Sequence, residues 1–467
     1  MDKETLSNYG WIVILILILS VLLALATPFG NFIAGAFKAT YAGFGMVGDN
    51  ALGIVIPGSS IEKPEIPDQD DSLKNAYALI LDNSSDSSNS TPMIFVRENE
   101  APIVGEVYES ETYGALPITA VYSDIETTKY ASASFVPWYS DGNYVNVSAV
   151  TFEDQISPVS TAYWFYDMSN CLSMDVIKLN TSSVVSMNCM FRGCSGLTSL
   201  NVSHFVTDNV TQMQCVFYNC SGITTLNLSM WNTAKVISMN GMFHGCAEIT
   251  YLDVSNFVTD NVTSMYDMFW GCSKLTELNM SSWNTSNVTN MGCMFTSCSS
   301  LTTLDMSGWN TQNVTSMSSM FQSCSRLTSL NVSHFITDNV TNMHSMFYGC
   351  SGVNVFNVSS WNTTNVTDMA QMFQECSTIT TLDISSFNTI NVGYMGFMFK
   401  DCSNLTTIYA SEQWSVANVS DGDRMFGSCS KLVGGNGTKY SFFYTGLNRA
   451  VLDAEGTSGY LTYKPMS

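Results

Sequence analysis

Fourteen cysteines and four histidines are the residues of this chain best suited to chemistry, and most of the cysteines stand in a single file. From Cys194 the residue recurs at Cys220, Cys246, Cys272, Cys298, Cys324, Cys350, Cys376 and Cys402, every 26 residues, and Cys429 follows after 27. Such a column could serve disulfides, metal ligation or thiolate chemistry. In coils stacked in parallel, equivalent Cα atoms lie about 4.8 Å apart, inside the range a disulfide spans. Equivalent side chains on such coils point the same way, however, and that works against the dihedral a bridge requires. The plainer reading is a small buried hydrophobe at each level. Three pairs five residues apart, Cys189/Cys194, Cys215/Cys220 and Cys293/Cys298, are local candidates for bridging.

A metal centre needs several ligands converging, whereas this ladder offers one thiol per level with no histidine in register. His204, His244, His334 and His344 form no cluster along the sequence. No glycine-rich phosphate loop, carboxylate pair or nucleophile elbow is present. These observations predict no catalytic residue, no metal and no cofactor. With 17 Lys and Arg against 39 Asp and Glu, a net charge of -22 also argues against nucleic acid, which is held by clustered cations.

The elements that position the cysteines follow from the same 26-residue period. Counting each column Cys as position 0, apolar residues recur at +3 (Leu197, Ile223, Ile249), +6 (Leu200, Leu226, Leu252) and +8 (Val202, Leu228, Val254). The step of two from +6 to +8 predicts a strand with both side chains inward. Position +11 is aromatic (Phe205, Trp231, Phe257, Trp283), +13 is Thr throughout, +15 is Asn except at Lys235, and +16 is Val. Met at +19, Met or Val at +22, Phe at +23 and the next Cys are spaced as one face of a short helical turn. Polar residues keep register too. Asn or Asp at +7 and Ser at +9 flank the inward +8 side chain and are placed to fix a turn. One coil alone buries too little to offset its chain entropy, so coils must stack and share their apolar faces. The period predicts a parallel-stacked solenoid over 164–432, with Cys171 buried in a +3 slot.

The flanks differ. Trp11 to Ala26 is sixteen residues with Ser20 as the one polar interruption, and with the apolar continuation to Phe37 it predicts a transmembrane helix within 1–44. Ala24-Leu25-Ala26 fits a signal-peptidase site, but the segment before Trp11 lacks a positive n-region, and a retained anchor is favoured. The short N-terminus then makes the C-terminal part extracellular. The stretch up to Gly45 is similar in composition to the assembly helix of pilin-like proteins. Residues 45–72 read as an acidic, proline-containing spacer. Strand-like runs at 77–81, 93–97, 118–122 and 145–152 predict a small all-β cap over 73–163, and 433–467 a C-terminal cap.

The pattern C-S-x-L-T-x-L-[ND]-x-S-x-[WF]-x-T-x-N-V-x-x-M-x-x-M-F-x-x-C resembles the BspA-like leucine-rich-repeat family of bacterial surface proteins. The lead-in VPWYSDGNYVNVSAVTFEDQISPVSTAYWFYDMSNC and the closing KLVGGNGTKYSFFYTG are similar to that family's flanking segments. The resemblance implies an extracellular solenoid acting in adhesion, without enzymatic activity. Solenoids bind through outward positions of one face, and the +24 column offers Tyr218, His244, Trp270 and Tyr348, residue types favoured at binding hot spots. Position +2, with Glu248, Lys274 and Arg326, is a second candidate. The expected partner is an extracellular protein or glycan. The alternative is a structural envelope or fibre component with the solenoid as a rigid stalk.

Overall fold

In the computed structural model, residues 74–84 and 90–465 are described. Six strands form a sheet at the N-terminal end: β1 (Asn75–Leu81), β2 (Pro92–Glu98), β3 (Val107–Ser110), β4 (Gly114–Tyr122), β5 (Ala149–Phe152) and β6 (Ser173–Asp175). Their order is β3-β4-β1-β2-β5-β6. The first four pair antiparallel, whereas β2, β5 and β6 pair parallel. Because β6 is the strand of the first coil, the sheet ends on the solenoid's first level, and the short strands of later coils form separate two- and three-stranded sheets. Alternation along β1 splits its side chains between two cores. Ala76, Ala78 and Ile80 face the solenoid interior, and Tyr77, Leu79 and Leu81 join Ile94, Val96, Leu116 and Ile118 in a smaller cluster. Phe95 stacks on Trp164, and the buried Trp138 indole donates to the Trp164 carbonyl at 2.5 Å, closing the lower end of the column of coils.

Each following coil lies on the one before with its equivalent residues in register. Single parallel bridges at position +18 run Ser186, Gln212, Ser238, Ser264, Asn290, Ser316, Asn342, Asp368, Tyr394, Asp421. Short strands at +5 to +7 pair in parallel, β7 (Glu277–Asn279) with β8 (Thr303–Asp305) and β9 (Thr381–Asp383) with β10 (Thr407–Ala410). The +23 phenylalanines make one continuous stack from Phe165 to Phe426, centroids 5.5–5.9 Å apart. The C-terminal segment returns to supply the last rung: β11 (Leu461–Tyr463) pairs parallel with β10, and the buried Tyr460 ring packs edge-on against Phe426.

The segment before each column Cys is a chain of turns rather than a helix. In the coil ending at Cys194, Met190, Arg192 and Cys194 donate N–H to the carbonyl three residues back. Cys189, Phe191 and Gly193 instead donate to Gln214, Val216 and Tyr218 of the next coil. Positions +21 and +25 are left-handed in coil after coil, as at Cys189 (φ 53) and Gly193 (φ 79) or Cys215 (φ 55) and Asn219 (φ 55). A positive φ at the third residue of a four-residue turn marks the type II turn. Two such residues per coil stop an α-helix from forming, and they turn alternate N–H groups toward the neighbouring coil.

The membrane anchor is the second correction. Among the described residues no helix is long and apolar enough to cross a membrane. The α-helix Pro137–Ser140 has four residues and rises about 6 Å at 1.5 Å per residue, against the roughly 30 Å of a bilayer core. The transmembrane segment expected within 1–44, its pilin-like resemblance and the spacer over 45–72 lie outside the described residues. The fold class is therefore corrected to a turn-and-strand solenoid carrying a mixed β sheet. The single-pass topology, the membrane partner and the cell-surface location expected from an anchor are corrected with it, since no described helix can cross a membrane.

Candidate functional site

The cysteine column is interior structure. Each thiol from Cys194 to Cys429 donates to the carbonyl of the equivalent +23 Phe one coil below, at 2.9–3.1 Å. All fourteen cysteines are free thiols, and Cys171 is fully buried. Burial raises the column thiols, Cys272 and Cys324 to about 12, so they stay protonated and unreactive near neutral pH. The three pairs five residues apart do not come together as pairs. Cys189 and Cys215 instead occupy the same +21 position on adjacent coils, where each shifts the other, Cys189 up and Cys215 down. Among the described residues no three His, Cys, Asp or Glu side chains converge as metal ligands.

The +24 column stands beside these thiols and is half-buried. Arg192 lies over the Tyr218 ring at 4.3 Å and over Tyr166 at 5.4 Å. Tyr218 stacks on His244 at 4.0 Å, and His244 sits 5.2 Å from Trp270 and pairs with Asp267 at 3.1 Å. Three predicted residues, Tyr218, His244 and Trp270, thus form one ridge across successive coils. Tyr348 is not part of it. Thr296 and Gln322 intervene in the column, and the Tyr348 hydroxyl donates to Glu375 at 2.8 Å. At +2, Lys274 and Glu248 pair with each other at 2.5 Å.

A groove of about 530 Å³ on the strand face was not anticipated. It is lined by Tyr251, Asp253, Glu277, Asn279, Thr303 and Asp305, the outward +5 and +7 positions of three coils. Asp253 and Asp305 are held below the usual carboxylate range by hydrogen bonds from Ser255 and Ser307. The period-two pattern assigned +7 to a turn role, and it has that role, since Asn or Asp at +7 accepts from the +9 backbone N–H and hydroxyl. The outward +5 side chains beside it carried no repeat signal, because they differ from coil to coil.

Parallel coils stacked in register around a largely apolar interior, with a buried Thr at +13 of each, define a repeat solenoid. The chain belongs to the family described as "Mycoplasma protein of unknown function, DUF285", whose model matches residues 155–251, 238–355 and 327–436, more than half of the 467 residues. This assignment replaces the BspA-like leucine-rich-repeat membership expected from the consensus. A 26-residue coil imposes much the same inward columns on any sequence that stacks this way, so the consensus reports coil geometry more than ancestry. A leucine-rich repeat protein from Eubacterium ventriosum ATCC 27560 aligns over 69% of this chain and 92% of its own, with 13% identity and a TM-score of 0.30. A likeness that loose carries no argument. No curated protein matches the chain.

Proposed function

We propose that this solenoid is a non-catalytic binding protein that recognises a protein or glycan partner through the ridge Arg192, Tyr218, His244 and Trp270. The observation that supports this reading is the partial exposure of four large side chains, stacked in register at 4.0–5.2 Å on consecutive coils. Rigid rings immobilised before binding lose little entropy on association, and Tyr, Trp and Arg are the residue types that dominate binding energy. Support for a purely structural reading is also specific: part of each ring's face is already covered by its neighbour.

Glycan-array screening and pull-down with the full chain separate the two. Saturable binding that weakens about tenfold or more in Tyr218→Ala and Trp270→Ala, and is unchanged in Tyr348→Ala, fits the binding role. Substitutions that lower the unfolding midpoint while no partner is captured leave the structural role.

A further inference from the structure

Cys215 differs from the column thiols in exposure and environment, and Cys189, itself buried, differs from them in having a second thiol as its neighbour one coil above. Cys215 is partly exposed, and Cys189 lies just beneath it on the preceding coil. They hold the same +21 position on adjacent coils, with the Cys189 N–H bonded to the Gln214 carbonyl beside Cys215 at 2.8 Å, and the Arg192 charge favours the thiolate of each. The guanidinium is held in place between the Tyr166 and Tyr218 rings. Beyond Cys215 the next +21 residue is Gly241. A Cβ there would come within 3.2 Å of the Cys215 sulfur, so glycine keeps the approach to this thiol open. Tyr163, at +21 on the coil below, closes the other side over Cys189. Cys293, the other cysteine at +21, has Asp267 below and Ser319 above it, and its thiol turns to the Tyr266 hydroxyl at 3.7 Å.

We propose that Cys215 and Cys189 form a reversible redox couple, in which Cys215 reacts with a hydroperoxide and Cys189 resolves it as a disulfide between coils. The Cys215 thiolate attacks one peroxide oxygen. The O–O bond breaks, hydroxide leaves and is protonated to water (or to an alcohol from an organic peroxide), and Cys215 becomes a sulfenic acid. Cys189 then attacks the sulfenic sulfur and gives up its proton, which leaves with the expelled hydroxide as water. Two thiols and one hydrogen peroxide give one disulfide and two waters. The sulfurs lose two electrons and the peroxide gains them. A thiol reductant reverses the change by exchange.

Partial exposure, a neighbouring cation and an adjacent second thiol are the conditions under which a cysteine senses oxidants. Coils about 4.8 Å apart place the two Cα atoms within disulfide range. At +21 both cysteines are left-handed turn residues, and Gly241 leaves room for the Cys215 sulfur to rotate. Those two features are what the column cysteines lack. The Cys189 thiol, and after it the Arg192 guanidinium, hold the Cys215 thiol below its usual pKa against the opposing effect of burial, while Cys189 is pushed up and stays protonated.

The test uses the full chain, fully reduced, exposed to hydrogen peroxide, alkylated and mapped by peptide mass spectrometry. The expected product is one Cys189–Cys215 linked peptide, lost after dithiothreitol, with the column cysteines still reduced. In Cys189→Ser a dimedone adduct should appear at Cys215, and in Cys215→Ser neither adduct nor link should form. Full alkylation of both cysteines after peroxide, or a first adduct at any other cysteine, overturns the proposal. The mapping on the unsubstituted chain decides the matter even where a variant folds poorly.

Discussion

At position +11 the choice between Trp and Phe is settled by one carbonyl. Trp231, Trp283, Trp309 and Trp361 each donate an indole N–H to the +8 carbonyl one coil below, at 3.0–3.2 Å. Phe has no such donor, and wherever it stands the residue before it takes over. His204 donates to Val176, Asn256 to Leu228, His334 to Met306 and Ser386 to Val358. A buried carbonyl left without a partner costs about 1–3 kcal/mol, which is enough to couple the two positions. Trp283→Phe should therefore lower stability by roughly that amount by stranding the Val254 carbonyl. Adding Ser282→His should recover a good part of the loss, a coupling that a thermodynamic double-mutant cycle in urea would read directly. Independent losses from the two changes would disconnect +10 from +11. The buried +13 Thr works similarly, its hydroxyl bonding both the N–H and the carbonyl one coil above, as Thr285 does with Asn310.

The turn ladder is set by two left-handed residues per coil. Position +25 carries Gly193, Gly245, Gly271 and Gly349, or the polar Asp167, Asn219, Ser297, Ser323, Glu375, Asp401 and Ser428, most of them small types that tolerate or locally bond this conformation. At Gly271 (φ 72) a Cβ would meet nothing closer than 3.6 Å, so the backbone preference can be tested free of clash. Gly271→Val is expected to cost about 1–2 kcal/mol and Gly271→Asn far less, measured as a shift in the denaturation midpoint. Equal losses would mean that packing, not the sign of φ, selects the residue. This ladder also shows where sequence reading stops. Met187, Met190, Phe191 and Cys194 point inward from successive three-residue turns much as they would from a helix, so their spacing could not tell the two apart. The inward columns were legible because stacking forces them to repeat. The Tyr218–His244–Trp270 ridge was legible as a column, but its break before Tyr348 depended on which coils happen to carry rings. The groove at Tyr251 and Glu277 and the Cys189/Cys215 contact were hidden, since each is made by residues that the repeat leaves free to vary.

Across the whole solenoid the column thiols give stability a pH dependence far steeper than any single coil could. Each is buried against a carbonyl, and burial raises its pKa above the usual value of 9.0, as at Cys246, Cys272, Cys298 and Cys324. A thiol whose folded pKa is raised contributes its full stability below the unfolded value. That contribution is lost as pH rises from there toward the folded pKa, because the unfolded chain ionises first. The window therefore opens near pH 9 and extends to about 12 for Cys272 and Cys324. Each thiol that ionises only on unfolding lowers stability by about 1.4 kcal/mol per pH unit in that window. Coils in a solenoid are coupled mainly to their neighbours, so the losses should accumulate along the stack and appear as a sharp fall in urea midpoint from about pH 9 toward 12. Cys272→Ala removes one titrating group from the middle of the stack. It should lower the midpoint at pH 7.5, where the thiol still fills its site and donates to the Phe243 carbonyl, yet flatten the alkaline slope. A variant that loses stability equally at both pH values would show that the column's thiols do not ionise on unfolding, and the buried-donor account of the repeat would have to be given up.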